Sequence, residues 1–154
     1  MKPGTFTQIY IQVVFSPKHR DCLLIESVRP RIFAYLSGIL TNLGHKSLIV
    51  NGVIDHVHLF LGLNPKISLS ETVKEVKRAS SIFVNEQNYF PKKFEWQEGY
   101  GGFSYSRSHI EKVYEYIKNQ EQHHLKSSFR EEYLEFLKKY EIEFEEQYLF
   151  EFFD

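Results

Sequence analysis

Asp55-His56-Val57-His58-Leu59-Phe60 is the stretch around which the rest of the chain is organised. It lies in an apolar run that begins Leu48-Ile49-Val50-Asn51-Gly52-Val53-Ile54 and continues past it through Leu61, Gly62 and Leu63. Short runs this rich in Val, Ile and Leu, punctuated by Gly and Asn, predict two adjacent strands joined by a tight turn. Side chains alternate across a strand, so Val57, Leu59, Leu61 and Leu63 share one face, and His56, His58, Phe60 and Gly62 the other. Two imidazoles at i and i+2 on one strand face are close enough to hold one divalent ion. Ordinary half-exposed histidines show the same spacing, so the pair alone leaves both readings open.

Length and composition bound the answer. A chain of 154 residues fits one domain spanning 1–154, long enough to bury a real core. Hydrophobic residues at 42% and aromatic residues at 16% exclude a disordered chain. No run approaches the roughly eighteen apolar residues of a membrane span. Met1-Lys2-Pro3-Gly4-Thr5 has no apolar signal-peptide core behind it, and Cys22 is the single cysteine, so no disulfide can form within the chain. A reducing cytoplasm is the expected location. The net charge of −1 hides an uneven distribution: residues 1–130 carry 17 Lys+Arg against 11 Asp+Glu, and residues 131–154 carry 2 against 9. A basic body is compatible with a polyanion partner without requiring one.

The remaining elements follow from periodicity. Residues 5–15 alternate as a first strand, with Ile9, Ile11, Val13 and Phe15 on one face and Gln8, Tyr10, Gln12 and Val14 on the other. From Ser27 to Leu43 the period becomes helical, with Val28, Ile32, Leu36, Ile39, Leu40 and Leu43 on one stripe and Gly44 at the expected C-cap. Ser68-x-x-Glu71 is a capping-box pattern that opens a second helix through about Asn85. Its outer side carries Lys74, Lys77 and Arg78, as any surface helix carries charge. Residues 94–105 read as an aromatic strand or hairpin whose Gly99, Gly101 and Gly102 permit a bulge or close backbone approach; the pattern lacks the Lys-Ser/Thr of a P-loop.

Ser108-x-x-Glu111 predicts a third helix to about His124, with Ile110, Val113, Tyr114 and Ile117 inward. A polar ridge of His109, Lys112, Tyr116, Gln120 and His123 runs beside that stripe, which presents Tyr116 and Gln120 one turn apart on the same side. Ser128-x-x-Glu131 starts a last helix with Phe129, Tyr133, Phe136, Leu137 and Tyr140 inward, and the acidic, aromatic tail 141–154 is expected to pack its rings on the body. The order strand, helix, strand, strand, helix, strand, helix, helix predicts an α+β fold. It is a ferredoxin-like (RRM-like) antiparallel sheet with helices on one face plus C-terminal helices. The first strand and the His56–His58 strand would be central, with Tyr10, Gln12, His56, His58 and Phe60 on an open face. Modules that bind single-stranded nucleic acid present such a face.

The ordered set of motifs is more specific than any one of them. Val14-Phe15-Ser16-Pro17-Lys18-x-Arg20, then Asp55-His56-Val57-His58-Leu59-Phe60, Ser80-Ser81, Trp96-Gln97-x-Gly99-Tyr100-Gly101-x-Phe103-Ser104 and Tyr116-Ile117-x-Asn119-Gln120 occur in that order. This series resembles the single-tyrosine HUH transposases of the smallest bacterial insertion sequences (the IS-two-hundred / IS-six-hundred-and-five type), over nearly the whole chain. The resemblance implies that His56 and His58 are the HUH pair, Gln120 a third metal ligand and Tyr116 the nucleophile. It implies Mg²⁺ or Mn²⁺, single-stranded DNA with hairpins near the element's ends, and a homodimer whose active sites are completed in trans. The reaction implied is cleavage and rejoining of DNA through a 5′-phosphotyrosine.

Each implied role has a chemical reason. A divalent ion on the non-bridging oxygens of a phosphodiester neutralises charge and orients the phosphorus, and two imidazoles with one amide oxygen leave positions open for those oxygens. Ligand type alone would suit Zn²⁺ or Mn²⁺ as readily as Mg²⁺. A tyrosine nucleophile stores the cut bond, so rejoining needs no external energy source. No side chain declares itself as the acceptor of the tyrosine proton, His123 and His124 being near in sequence only. An immobile relative that processes chromosomal repeats would use the same chemistry. A non-catalytic single-strand-binding module would need neither aligned histidines nor a presented tyrosine, and a phosphoesterase with paired His-x-Thr/Ser motifs would need a second histidine pair. Arg20, Lys74, Lys77 and Arg78 are DNA-contact candidates from charge alone.

Overall fold

The computed structural model describes residues 4–153. Met1–Pro3, the start of the N-terminus read above, and Asp154, the last carboxylate of the tail, lie outside them. Four strands, β1 (Tyr10–Phe15), β2 (Lys46–Val53), β3 (His56–Gly62) and β4 (Gly101–Tyr105), form one antiparallel sheet in the order β2-β3-β1-β4. The ferredoxin-like expectation therefore holds, with β1 and β3 central. Val14 stands opposite His58 across the β1–β3 pair, and Asn51 stands opposite His58 across the β2–β3 pair. The hairpin turns at Ile54-Asp55, so Asn51 and Gly52 sit inside β2 instead of forming the turn. Gly52 is required there: a Cβ would collide with the His56 carbonyl and lie 2.9 Å from Val57 Cα.

Alternation sorts β3 as its sequence predicts. Val57, Leu59 and Leu61 join Val13 and Phe15 beneath α1 (Arg29–Asn42) and α2 (Leu69–Glu86), whose Ile32, Leu36, Leu40, Val73 and Val76 complete the main core. Ser68 caps α2 by accepting from Glu71 N, and Gly44, at φ +84°, ends α1 as expected. The strand predicted over 5–15 is shorter, Tyr10–Phe15, and only 101–105 of the aromatic stretch is a named strand. Trp96 instead forms an isolated bridge with Pro17 and donates its indole N–H to Ser80 Oγ at 2.8 Å.

The expectation of an open sheet face is corrected. Helices α3 (Ile110–Lys118), α4 (Gln120–Lys126) and α5 (Phe129–Lys139) cover the His56–His58 face, and Gln12, His56, His58 and Phe60 are buried. Phe60, Val113 and Ile117 form a second apolar cluster that fastens α3 to the sheet. Gly101 leaves room for α5 to cross β4, because a Cβ there would lie 2.8 Å from the Tyr133 ring. The single third helix is also corrected. Ser108 caps nothing, and the helix breaks at Asn119 into α3 and α4. The side-chain amide of Asn51 donates to the carbonyls of Ile117 and Lys118 at 2.9 and 3.1 Å, satisfying the end of α3 where it meets β2. Tyr114, read as inward, is 38% exposed, since the sheet-facing stripe runs through Ile110, Val113 and Ile117.

In the tail, Phe150 packs on Phe129 and Tyr133, and Phe152 on Phe129. The Gln97 side chain clamps the backbone of Glu151, donating to its carbonyl at 2.8 Å and accepting from its N–H at 2.7 Å. Phe144 and Tyr148 remain exposed.

Candidate metal centre and nucleophile

β3 presents His56 and His58 side by side, their rings 5.0 Å apart. Each ring has one nitrogen committed outward. His56 Nδ1 donates to Asp55 Oδ1 at 2.8 Å, and His58 Nδ1 lies 2.8 Å from Gln12 Nε2. Gln12 Oε1 in turn accepts from the Tyr105 hydroxyl at 2.8 Å. Both Nε2 atoms are thereby aimed at one point between the sheet and α5. Phe129 lies flat on the His56 ring at 4.0 Å and 5°, fixing its plane, and Ser16 Oγ donates to the Asp55 carbonyl at 2.7 Å, bracing the turn.

Three helices bring the other participants. Gln120, the first residue of α4, sets its Oε1 3.0 Å from His56 Nε2. Glu132, on α5, sets its Oε1 3.0 Å from His56 Nε2 and 3.2 Å from His58 Nε2. Its Oε2 accepts from Gln120 Nε2 at 3.3 Å and from the Tyr116 hydroxyl. The Tyr116 ring lies edge-on to His58 at 6.1 Å and against His123 at 4.4 Å. His56, His58, Gln120 and Glu132 are 1%, 0%, 1% and 8% exposed, so this is an interior polar cluster.

Burial and charge set the ionisation. Burial works against the charged form of His56, but the hydrogen bonds it donates to the Asp55 and Glu132 carboxylates overcome it and bring the imidazole up to about 9. Burial dominates at His58 and holds it below the ordinary imidazole value, despite Glu132. At Glu132 burial is outweighed by the two histidines, which hold the carboxyl well below the usual carboxylate range. The Tyr116 phenol is pushed far above its ordinary value by burial and then by the Glu132 charge. The hydroxyl donates to Glu132 and lies beside His58.

The donor set fits a divalent ion. His56, His58 and Glu132 each offer a ligand atom within 4.8 Å of the others, and the Gln120 oxygen joins them. Donors bound at about 2.1 Å and at right angles on one ion lie about 3.0 Å apart. Hydrogen-bond and ligand-to-ligand spacings coincide here, so an ion can replace the shared protons with little rearrangement. Asp55, His56 and His124 form a second, overlapping cluster, in which the buried His124 Nδ1 has no partner among the described residues.

Of the residues singled out in the sequence, His56, His58, Tyr116 and Gln120 thus meet within one chain. The charge-based candidates do not join them. Lys74, Lys77 and Arg78 lie on α2, across the sheet. Lys77 is held by the carbonyls of Gln97 and Gly99 at 2.8 and 2.6 Å, and burial brings its ammonium down to about 8. Arg78 pairs with Glu75, and Arg20 donates to the Phe153 carbonyl at 3.3 Å and lies over its ring. Glu132, Asp55 and Gln12 are participants that the sequence reading did not assign. A signal for Glu132 existed: it falls three residues after Phe129 and next to Tyr133, inside the apolar stripe of its helix.

The chain is similar to known proteins in sequence and in fold. The model of the IS200-like transposase family matches residues 5–120, about three-quarters of the chain. A candidate transposase from Deinococcus radiodurans R1, solved by crystallography, is similar in fold with a TM-score of 0.61 at 22% identity, covering 78% of this chain and 96% of that one. The structure of a REP-associated tyrosine transposase bound to a REP hairpin is similar at 0.58 and 12% identity, covering 80% of this chain and 74% of that one. Comparison with curated proteins gave no match. The chain belongs to the family of IS200-like transposases.

Proposed function

We propose that this chain cleaves and rejoins single-stranded DNA bearing hairpins, with Tyr116 as nucleophile and His56, His58 and Gln120 as holders of a divalent ion, Mg²⁺ or Mn²⁺. The observation that carries the reading is the meeting of those four side chains, from β3, α3 and α4, in one polar cluster in which the histidines and Gln120 are buried and Tyr116 is half-buried. A bound ion would supply charge neutralisation on the phosphodiester oxygens. The Tyr116 oxygen attacks phosphorus, the bond to the 3′-oxygen breaks, and a 5′-phosphotyrosine and a free 3′-hydroxyl result. The phenolic proton passes by way of the polar cluster to the departing 3′-oxygen. Rejoining is the reverse attack by a 3′-hydroxyl.

DNA has a route to the nucleophile. An open groove of about 690 Å³ between α3 and α5 reaches Tyr116 and Glu132, and Lys112, Lys138, Lys139 and His109 line it with the single further carboxylate Glu135. Cations on that rim suit a phosphate backbone better than the α2 residues across the sheet. The test is cleavage of single-stranded hairpin oligonucleotides from the gene's flanks, with Mn²⁺ or Mg²⁺ and then with chelator. Metal-dependent nicking of the single strand and not of duplex DNA is expected; no nicking by metal-loaded protein that binds the hairpins would refute the reading.

The resemblance implies a homodimer with sites completed in trans, whereas here the participants meet in cis. Mixing Tyr116→Phe with His56→Ala separates the two. Cleavage stays lost if the site works within one chain and returns if a second copy supplies the tyrosine.

A further inference from the structure

Glu132 has no place in a site of two histidines, a glutamine and a tyrosine, yet it touches all four. It comes from α5, beyond the 5–120 segment that matches the family. A buried carboxylate is costly unless it is fully paired, and an apolar residue would suit a stripe of Phe129, Tyr133 and Phe136. Neutralising His56 is not a sufficient reason for it, because Asp55 already does so from the other side of the ring at 2.8 Å. Nor is there a proton for every contact. His56 Nε2 faces two oxygens at 3.0 Å, from Gln120 and Glu132, and has one hydrogen to share between them. Two nitrogens and two oxygens converge where fewer protons than contacts are available, as ligands around an ion do.

We propose that Glu132 is a fourth metal-coordinating side chain of this site, supplied by the helix beyond the family-matched segment. The inference rests on the metal-binding part of the reading above. Glu132 Oε1, the oxygen facing both Nε2 atoms, is the ligand, and Oε2 stays bonded to the Tyr116 hydroxyl. One carboxylate thus ties the nucleophile to the ion's position. The residues that would hold the ion are then two nitrogen and two oxygen donors, one of them anionic, a set that would suit Mn²⁺. The outward partner Asp55, which accepts the His56 Nδ1–H, is the kind of group that orients a ligating imidazole in metal sites.

The test uses the full chain stripped with chelator and titrated calorimetrically with Mn²⁺, beside Glu132→Gln, Glu132→Asp and His56→Ala. Co²⁺ serves as a spectroscopic probe of the same site. His56→Ala should lose binding. Glu132→Gln should bind Mn²⁺ at least about tenfold more weakly, since removing even an outer partner of a ligand costs that much. Its Co²⁺ absorption spectrum should change in intensity and position. Glu132→Asp, which keeps the charge and draws the oxygen back, should fall between, and decides the matter if the glutamine variant does not fold. Unchanged Mn²⁺ affinity and an unchanged Co²⁺ spectrum in a folded Glu132→Gln would overturn the inference, as would tighter binding, which would make Glu132 a plug that the ion must displace. Wild-type protein that binds Mn²⁺ through Glu132 but never cleaves DNA would leave the inference standing and remove the proposed function. Wild-type protein that cleaves without binding Mn²⁺ or Mg²⁺ would do the reverse.

Discussion

On one face of β3, Val57, Leu59 and Leu61 enter a single apolar cluster with α1 and α2. On the other, His56 and His58, equally buried, meet Gln12, Gln120, Glu132 and Tyr116 under α3, α4 and α5. The first face is held by area removed from water, which is non-directional and tolerant of detail. On the second, beside the apolar Phe60–Val113–Ile117 cluster, the histidines are held by hydrogen bonds among groups that are costly to bury, so their geometry lasts only while each partner is present. A chain that needed both faces for stability alone would make both apolar. The buried polar cluster on the second face, reached by a groove that Lys112, Lys138 and Lys139 line, is the site the proposed function uses.

Substitutions on the two faces should therefore separate stability from chemistry. The largest effect is expected at Tyr116→Phe, which removes the hydroxyl and little else: cleavage should fall by about 10³-fold or more while the thermal midpoint barely moves. On the apolar face Leu59→Ala should do the opposite, lowering unfolding free energy by about 2–5 kcal/mol in urea titrations while the folded fraction cleaves normally. A Leu59→Ala protein that is fully folded yet inactive would break the comparison.

Asp55→Asn sharpens it. The carboxylate holds His56 Nδ1–H and so keeps Nε2 free for a ligand role. Mn²⁺ affinity, measured calorimetrically, should drop by about 10- to 100-fold with the nucleophile untouched. The smallest effect concerns His45, on the α2 side of the sheet, whose Nδ1 accepts the Asn64 N–H while Nε2 donates to Thr72. Burial lowers its pKa below the ordinary 6.5. The unfolded chain then binds the extra proton first, so this contribution is present above about pH 6.5 and is lost as pH falls below it. The urea midpoint should decline between pH 6.8 and 5.5 more in wild type than in His45→Asn; equal declines would remove His45 as the cause.

The apolar face was the legible part of the sequence. Period-2 alternation in β3 and the helical stripe in α1 assign Val57, Leu59, Ile32 and Leu36 without any knowledge of tertiary packing. On the polar face His56, His58, Tyr116 and Gln120 were legible as a motif, because their order and spacing are local properties. What covers them was not. Docking of α3–α5 on the sheet is a long-range event, and Asn51, which secures the end of α3, is separated from it by some 66 residues. Glu132 lies in a segment with nine acidic residues, where one more carboxylate reads as solvent-facing. The break at Asn119 was hidden by the Ser108 capping pattern, whose hydroxyl bonds Ser106 and His109 instead.

If the proposed function holds, the His56–His58 face makes a covalent bond to DNA through Tyr116. The most direct measurement is peptide-mapping mass spectrometry of wild-type protein trapped with a single-stranded hairpin oligonucleotide in Mn²⁺. A 5′-phosphorylated DNA fragment should be attached to the peptide that contains Tyr116 and be absent when chelator is added first. An adduct on any other residue, or nicked DNA with no adduct on the protein, would contradict it.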